Sequence, residues 1–181
     1  MTEPVCRLCG PESLEDILRL QARVCAALEN KDIFMPSTRE EYAGYFEPMH
    51  GVYGAFCDET LTGYCTFAFP GAPGNDYSRD LGWPPEIQAR CGKIDTVAVA
   101  PEYRGLGLQR RMVHLAVEAA RRASPEGILL ATVSPYNPYS LRNMQAEGFV
   151  VLHRLLKYGG RERFIVGQAL GEEPLPAVRL P

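Results

Sequence analysis

The sequence predicts an α/β fold with a mixed, mostly antiparallel central sheet and flanking helices, and three patterns predict it. Residues 94–99 and 128–133 are short apolar runs on either side of an amphipathic helical stretch, a βαβ unit whose strands should be parallel neighbours with a right-handed crossover. Residues 52–57 and 61–69 are rich in aromatic and β-branched side chains and flank Asp58-Glu59-Thr60, which reads as an antiparallel hairpin. Residues 149–158 and 163–169 flank Gly159-Gly160 as a closing hairpin.

The elements follow in order. Ser13 with Asp16 opens a helix whose apolar positions Leu14, Ile17, Leu18, Val24, Cys25 and Leu28 recur at helical spacing. Thr38 with Glu41 starts a shorter helix carrying Tyr42, Tyr45 and Phe46, ending before Gly51. After the first hairpin, residues 70–92 lose all periodicity around Trp83; the segment is either a substrate-facing flap or a plain surface loop. Beyond the first βαβ strand, Leu108, Met112, Leu115, Ala116, Ala119 and Ala120 form one helix face, and Arg110, Arg111, Glu118, Arg121 and Arg122 the other. Pro125 and Gly127 stop this helix. Asn137-Pro138 starts another, because asparagine caps well and proline at the first position loses no needed N–H; that helix ends at Gly148. Residues 1–170 form a single domain and residues 171–181, with Pro174, Pro176 and Pro181, a tail.

Composition narrows the class. A chain of 181 residues with 46% hydrophobic and 23% charged side chains is an ordinary globular domain, and no apolar stretch is long enough for a membrane span. The net charge of −3 gives nucleic acid no general attraction, and the four arginines on the helix read as a solvated face. Without a basic segment followed by an apolar run at the start, a secretory signal is not expected, and the cytoplasm is the expected location. The six cysteines then read as reduced thiols; Cys6 and Cys9 have half a zinc spacing with no second pair, so no metal is expected. A homodimer is the base-rate expectation for assembly.

Chemistry should gather where the two parallel strands end side by side, each followed by a helix N-terminus. Arg104-Gly105-Leu106-Gly107-Leu108-Gln109 precedes the first of these, and its glycines and free N–H groups suit a phosphate or pyrophosphate, the alternative being a tight turn with a solvated arginine. A Walker A loop is excluded because Gly92-Lys93 is followed by Ile94. A dinucleotide fingerprint lacks its third glycine, since Arg110 stands there, and the next strand runs into Ser134, Pro135, Tyr136 and Asn137 rather than an acid.

The stretch from Val97 to Gln109 closely resembles the acyl-CoA loop of the GNAT superfamily of N-acetyltransferases, with Arg104 and Gly107 on its motif and Gln109 in place of its final small residue. Asn137, Ser140, Gly148 and Phe149 resemble the family's second signature, and the likeness covers residues 13–169. It implies a GNAT-like acyl-CoA N-acyltransferase fold with a splayed parallel strand pair, and acetyl-CoA as co-substrate. The Val97, Ala98 and Val99 backbone would pair with the pantetheine arm. Arg104, Gly105, Leu106, Gly107, Leu108 and Gln109 would hold the pyrophosphate, with Asn137 and Ser140 on the other wall; Asn137 is also a helix cap.

The implied reaction is direct attack of a primary amine, on a small molecule or peptide, upon the thioester carbonyl, with a backbone N–H near Val97 stabilising the oxyanion. An amine of pKa near about 10 must lose a proton, and Asp95, a carboxylate in an apolar strand, is the candidate base or else a hydrogen-bonded structural aspartate. Many relatives place a tyrosine four residues before the Gly-Phe glycine as the acid for the thiolate. Here Met144 stands there, leaving Tyr139, Tyr136 or water. His114 and His153 read as packing or surface residues. Phe34, Tyr42, Trp83, Tyr158, Asp80 and Glu86 are offered to the acceptor pocket, an acidic and aromatic lining that would favour a cationic amine. The alternative of another class is a non-catalytic acyl-CoA-binding sensor or assembly module.

Overall fold

One seven-stranded sheet organises the computed structural model, which describes residues 3–74 and 76–180; Pro181, the last proline of the expected tail, lies outside the described residues. The strands are β1 (Val5–Leu8), β2 (His50–Cys57), β3 (Thr60–Ala68), β4 (Cys91–Val99), β5 (Ile128–Val133), β6 (Val150–Lys157) and β7 (Arg161–Ala169), in the spatial order β1-β2-β3-β4-β5-β7-β6. Every neighbouring pair is antiparallel except β4 with β5. This is the mixed sheet of the sequence reading. It gains β1, whose four residues are too few to show a strand period.

The helices are α1 (Leu14–Ala26), α2 (Arg39–Gly44), α3 (Tyr77–Asp80), α4 (Pro85–Gln88), α5 (Leu108–Ala123) and α6 (Pro138–Ala146). Local chemistry sets several of their ends. Thr38 and Glu41 form a reciprocal capping box, Glu41 N–H to Thr38 Oγ1 at 3.2 Å and Thr38 N–H to Glu41 Oε2 at 2.7 Å. Asn137 Oδ1 accepts the Ser140 N–H at 3.1 Å at the start of α6. At the other end of α6, Gly148 at φ +94° lets its own N–H reach the Gln145 carbonyl at 3.0 Å and the Phe149 N–H reach the Met144 carbonyl at 3.1 Å. Phe149 and Met144 then pack together in the core. Ser13, by contrast, makes no capping bond; a 3₁₀ turn over Pro11–Ser13 leads into α1 instead.

Side chains divide by sheet face. Leu108, Met112, Val113, Ala116, Val117 and Ala120 of α5 bury one face of the sheet against Leu129, Ala131 and Val133, with α6 beside them. On the opposite face Ile17, Leu20, Val24 and Tyr42 cover Val52, Leu61, Tyr64 and Ala98. Farther along that face, Tyr77, Leu81 and Trp83 cover Ile128, Leu130 and Ile165. Residues 76–92 of this segment are therefore neither flap nor surface loop: two short helices hold buried aromatic side chains to the sheet. Segment 171–180 lies on the same patch, where Trp83 Nε1 donates to the Ala177 carbonyl at 3.0 Å, Arg179 N–H donates to the Leu81 carbonyl at 2.9 Å, and Leu175 and Val178 pack beside them.

Leu129, the second residue of β5, is wholly buried. Leu129→Ala is expected to cost about 2–5 kcal/mol through lost transfer energy plus a residual cavity, read as a lower denaturant midpoint at unchanged m-value.

Candidate functional site

The pairing of β4 with β5 stops early. It runs through Cys91–Ile128, Gly92–Leu129 and Lys93–Leu130, and beyond that each strand keeps only its outer neighbour, β3 or β7. The cause lies in β4. Its register with β3 steps from Phe67–Ile94 to Thr66–Thr96, which leaves Asp95 without a partner as a β-bulge. The Thr96 N–H turns to Thr66 Oγ1 at 3.0 Å. The strands part, and among the described residues the inner rows of backbone groups on residues 94–99 and 131–133 have no strand partner across the gap.

A cavity opens in that gap. Its lining includes Asp95, Thr96 and Val97 from β4, Thr132 and Val133 from β5, Gln109 from α5, Asn137, Ser140 and Met144 around α6, and Ile33, Phe34, Met35, Tyr158 and Arg163 from the loops and β7. Of the residues singled out from sequence, Val97, Gln109, Asn137, Ser140 and Asp95 are thus brought together. Ala98 turns its side chain into the opposite core, so only its backbone faces the gap, and Val99 is half-buried against the α5 core.

The loop before α5 stands open. Arg104, Gly105, Leu106 and Gly107 are exposed, and Leu108 buries its side chain while its N–H begins the helix. Gly105 and Gly107 lie at φ +83° and +71°, and a Cβ on either would meet nothing within 4 Å. Packing within the chain therefore does not demand these glycines, but the backbone conformation does. Gln109, the larger residue at the end of the motif, spends its side chain sideways. Its Nε2 donates to Ser140 Oγ at 2.9 Å and its Oε1 accepts from Asn143 Nδ2 at 3.0 Å, fastening α5 to α6.

Across the cavity, side chains form a polar chain. Lys93 Nζ lies 3.1 Å from Asp95 Oδ1, and the Tyr77 hydroxyl donates to the same oxygen at 3.1 Å. Tyr77 also meets the Tyr158 hydroxyl at 3.0 Å, and Tyr158 meets Thr132 Oγ1 at 3.1 Å. Burial pushes the Tyr77 phenol well above its usual range, and the Asp95 charge adds to this, so Tyr77 stays a protonated donor. Burial likewise pushes Tyr45 up, reinforced by the Asp95 charge and a hydrogen bond to it. Sequence reasoning missed Lys93, Tyr77, Thr132 and Arg163, since nothing local marks residues that meet only across strands.

Other expected residues fall elsewhere. Tyr139 is 72% exposed, with the Arg142 guanidinium 4.9 Å from its ring centre, and is not part of the lining. Tyr136 donates its hydroxyl to Glu162 at 2.7 Å. His114 Nδ1 pairs with Glu147, which also holds Arg110. Of the residues offered to an acceptor pocket, Phe34 and Tyr158 line the cavity. Tyr42 is bound instead to Gln21 and Tyr64, Trp83 to the Ala177 carbonyl, and Asp80 to Lys157, while Glu86 lies in α4, so these four are not among the described residues that line the cavity. Among the described residues no cluster of three or more metal-ligating side chains occurs and no helix is long and apolar enough to cross a membrane.

Comparison with known proteins gives one family. The profile of the acetyltransferase (GNAT) family matches residues 13–149. Among solved structures, yncA of Salmonella typhimurium, described as an acetyltransferase with its cofactor acetyl-CoA, aligns at TM-score 0.69 and 18% identity over 98% of this chain and 100% of its own. The ribosomal-protein-S18-alanine N-acetyltransferase of Escherichia coli aligns at TM-score 0.68 and 12% identity over 94% and 96%. A spermidine N-acetyltransferase chimera from Vibrio cholerae and hSSAT aligns at TM-score 0.63 and 13% identity over 93% and 96%. At these identities the likeness is one of fold. A search among curated proteins finds no match.

Because Gly107 holds a left-handed conformation immediately before α5, Gly107→Ala is expected to lower stability by about 1–2 kcal/mol, measured by denaturant unfolding, although the added methyl meets no atom.

Proposed function

Since the chain belongs to the acetyltransferase (GNAT) family, we propose that it transfers an acetyl group from acetyl-CoA to a primary amine by direct attack. The observation that carries this reading is the parted strand pair, whose open backbone row runs beside the free N-terminus of α5. A thin arm bearing amides can add to an open strand edge, and a diphosphate suits the N–H groups and dipole of a helix start. Residues fit both demands: Val97, Ala98 and Val99 offer the edge, Gly105, Leu106, Gly107, Leu108 and Gln109 the amides, Arg104 a charge, and Asn137 and Ser140 the far wall.

Acetyl-CoA supplies the acyl group as a thioester. The chain's own residues then orient the amine, take its proton and steady the carbonyl oxygen. An unpaired N–H near Val97 is the donor for that oxygen. Asp95 is the carboxylate at the cavity, held in place by Lys93 and Tyr77, and takes the amine's proton directly or through one water. Among the described residues of the lining no cysteine or histidine is present and the Ser140 hydroxyl is engaged by Gln109, which favours direct attack over an acyl-enzyme. For the proton returned to the thiolate bulk water serves, because a thiol of pKa near about 8.5 leaves with little help; Tyr139, the residue expected from sequence, is exposed outside the cavity lining.

Two measurements test the reading. Calorimetry should detect coenzyme A binding, and thiol release from acetyl-CoA should depend on an added amine from a panel of small amines, peptides and aminoglycosides. Binding without release from any amine would instead favour a non-catalytic acyl-CoA sensor. Asp95→Asn is expected to lower kcat by about 100-fold while leaving coenzyme A affinity unchanged; an unaltered rate removes Asp95 as the base.

A further inference from the structure

We propose that the acceptor amine also carries a carboxylate, as an α-amino acid does, and that Arg163 is the residue that binds it. The proposal rests on the reading of the cavity as the transfer site and names the class of acceptor that enters it.

Arg163, in β7, is only 3% exposed, yet it forms part of the cavity wall. Its NH1 donates to the Glu162 carbonyl at 2.7 Å and its NH2 to the Asp32 carbonyl at 2.6 Å. The Tyr158 ring lies beneath the guanidinium, 5.5 Å from ring centre to Cζ. Nearby carboxylates are all engaged by other cations. Asp32 is taken by Arg161 at 3.0 Å, Glu162 by Arg154 at 2.7 Å, and Asp95 by Lys93 at 3.1 Å. Among the described residues Arg163 is therefore a buried cation with no carboxylate in salt-bridge contact: its hydrogen bonds go to two carbonyls, and the Asp32 carboxylate favours its charge only from a distance. Burial pulls its pKa down, the sign of a charge poorly compensated within the chain.

A charge held in this way is normally paired with an opposite charge. The guanidinium fork has five N–H donors, of which the two carbonyls take two, and its planar geometry can engage a carboxylate through two parallel hydrogen bonds. Asp95 is the only other charged side chain among the described lining residues. A zwitterionic amino acid would thus meet a carboxylate at its ammonium end and a guanidinium at its carboxylate end. Ile33, Phe34 and Met35 add apolar surface to the same lining, suited to an apolar side chain. A lysine side chain within a protein, or a polyamine, would leave Arg163 unanswered.

The test uses the full chain and acetyl-CoA, with thiol release measured for L-leucine, L-methionine and L-phenylalanine against their carboxamides and the amines left by decarboxylation. The expected result is a kcat/KM about 30-fold or more higher for the amino acids. Arg163→Gln should abolish that preference, Arg163→Lys should restore part of it, and the coenzyme A affinity of both should stay within about threefold of the parent. Should Arg163→Gln fail to fold, the parent protein decides: 4-methylpentanoate should compete with L-leucine at least tenfold better than 4-methylpentanol. Equal turnover of acids, amides and plain amines overturns the proposal, as does a preference that survives Arg163→Gln or equal competition by acid and alcohol. Acetylation of amines without a carboxylate preference overturns this proposal alone, whereas no thiol release with any amine overturns the transfer reading and this proposal with it.

Discussion

The site depends on where two backbones stop hydrogen-bonding to each other. Buried N–H and C=O groups are almost always paired, so a row of them left open inside a sheet is costly unless something else satisfies it. Asp95 creates that row, because one extra residue in β4 throws the strand out of line with β5 just after Lys93. The damage on the β3 side is contained: Thr66 offers its hydroxyl to the Thr96 N–H, and pairing resumes through Val99. The opening toward β5 is not repaired by the protein itself, which makes it the natural seat for an extended, amide-bearing ligand.

From the same bulge follows the division of the cleft into two kinds of recognition. On the α5 and α6 side the chain presents mostly backbone: positive-φ glycines, the amides of a helix start and the open strand edge. Gln109, Ser140 and Asn143 act there as braces between helices. On the other side it presents side chains, with Asp95, Tyr77, Tyr158 and Thr132 linked hydroxyl to carboxylate and Arg163 set into the wall. Charge is placed sparingly among the described residues of this half: Lys93 pairs with Asp95 and Arg161 with Asp32, while Arg163 donates to backbone carbonyls.

What the sequence made legible was whatever local chemistry determines. Thr38 with Glu41 and Asn137 with Pro138 announce helix starts because the partners that satisfy the free N–H groups lie within three residues. Gly148-Phe149 is readable for the same reason: a left-handed glycine closes α6 and Phe149 folds back on Met144. The burial of Met144 there also gives it a packing role at a position where many relatives place a tyrosine. The bulge at Asp95 was hidden, since its signal is a mismatch with β3, thirty residues away in the chain, rather than any residue preference. Trp83, Tyr42 and Asp80 were plausible pocket residues by type, but the docking of α2 and α3 turned them to the core, to Tyr64 and to Lys157. Arg163 sits two residues before the buried Ile165 on β7 and is itself buried, yet by type it looks like one more charged residue near a hairpin until Asp32, far upstream, is seen to meet it.

This asymmetry has a physical basis that bears on how far family membership reaches. A site made of backbone amides and dipoles tolerates wide change in side chains, needing only the turn that presents them, so a short motif with two glycines can mark it. Proteins of 12–18% identity share the whole fold with this chain. A site made of side chains encodes its preference in which charges are left unpaired, and that is a property of contacts between distant segments rather than of any motif. Family therefore speaks to the donor of the acyl group, and the identity of the acceptor has to be read from the balance of charge around Asp95 and Arg163.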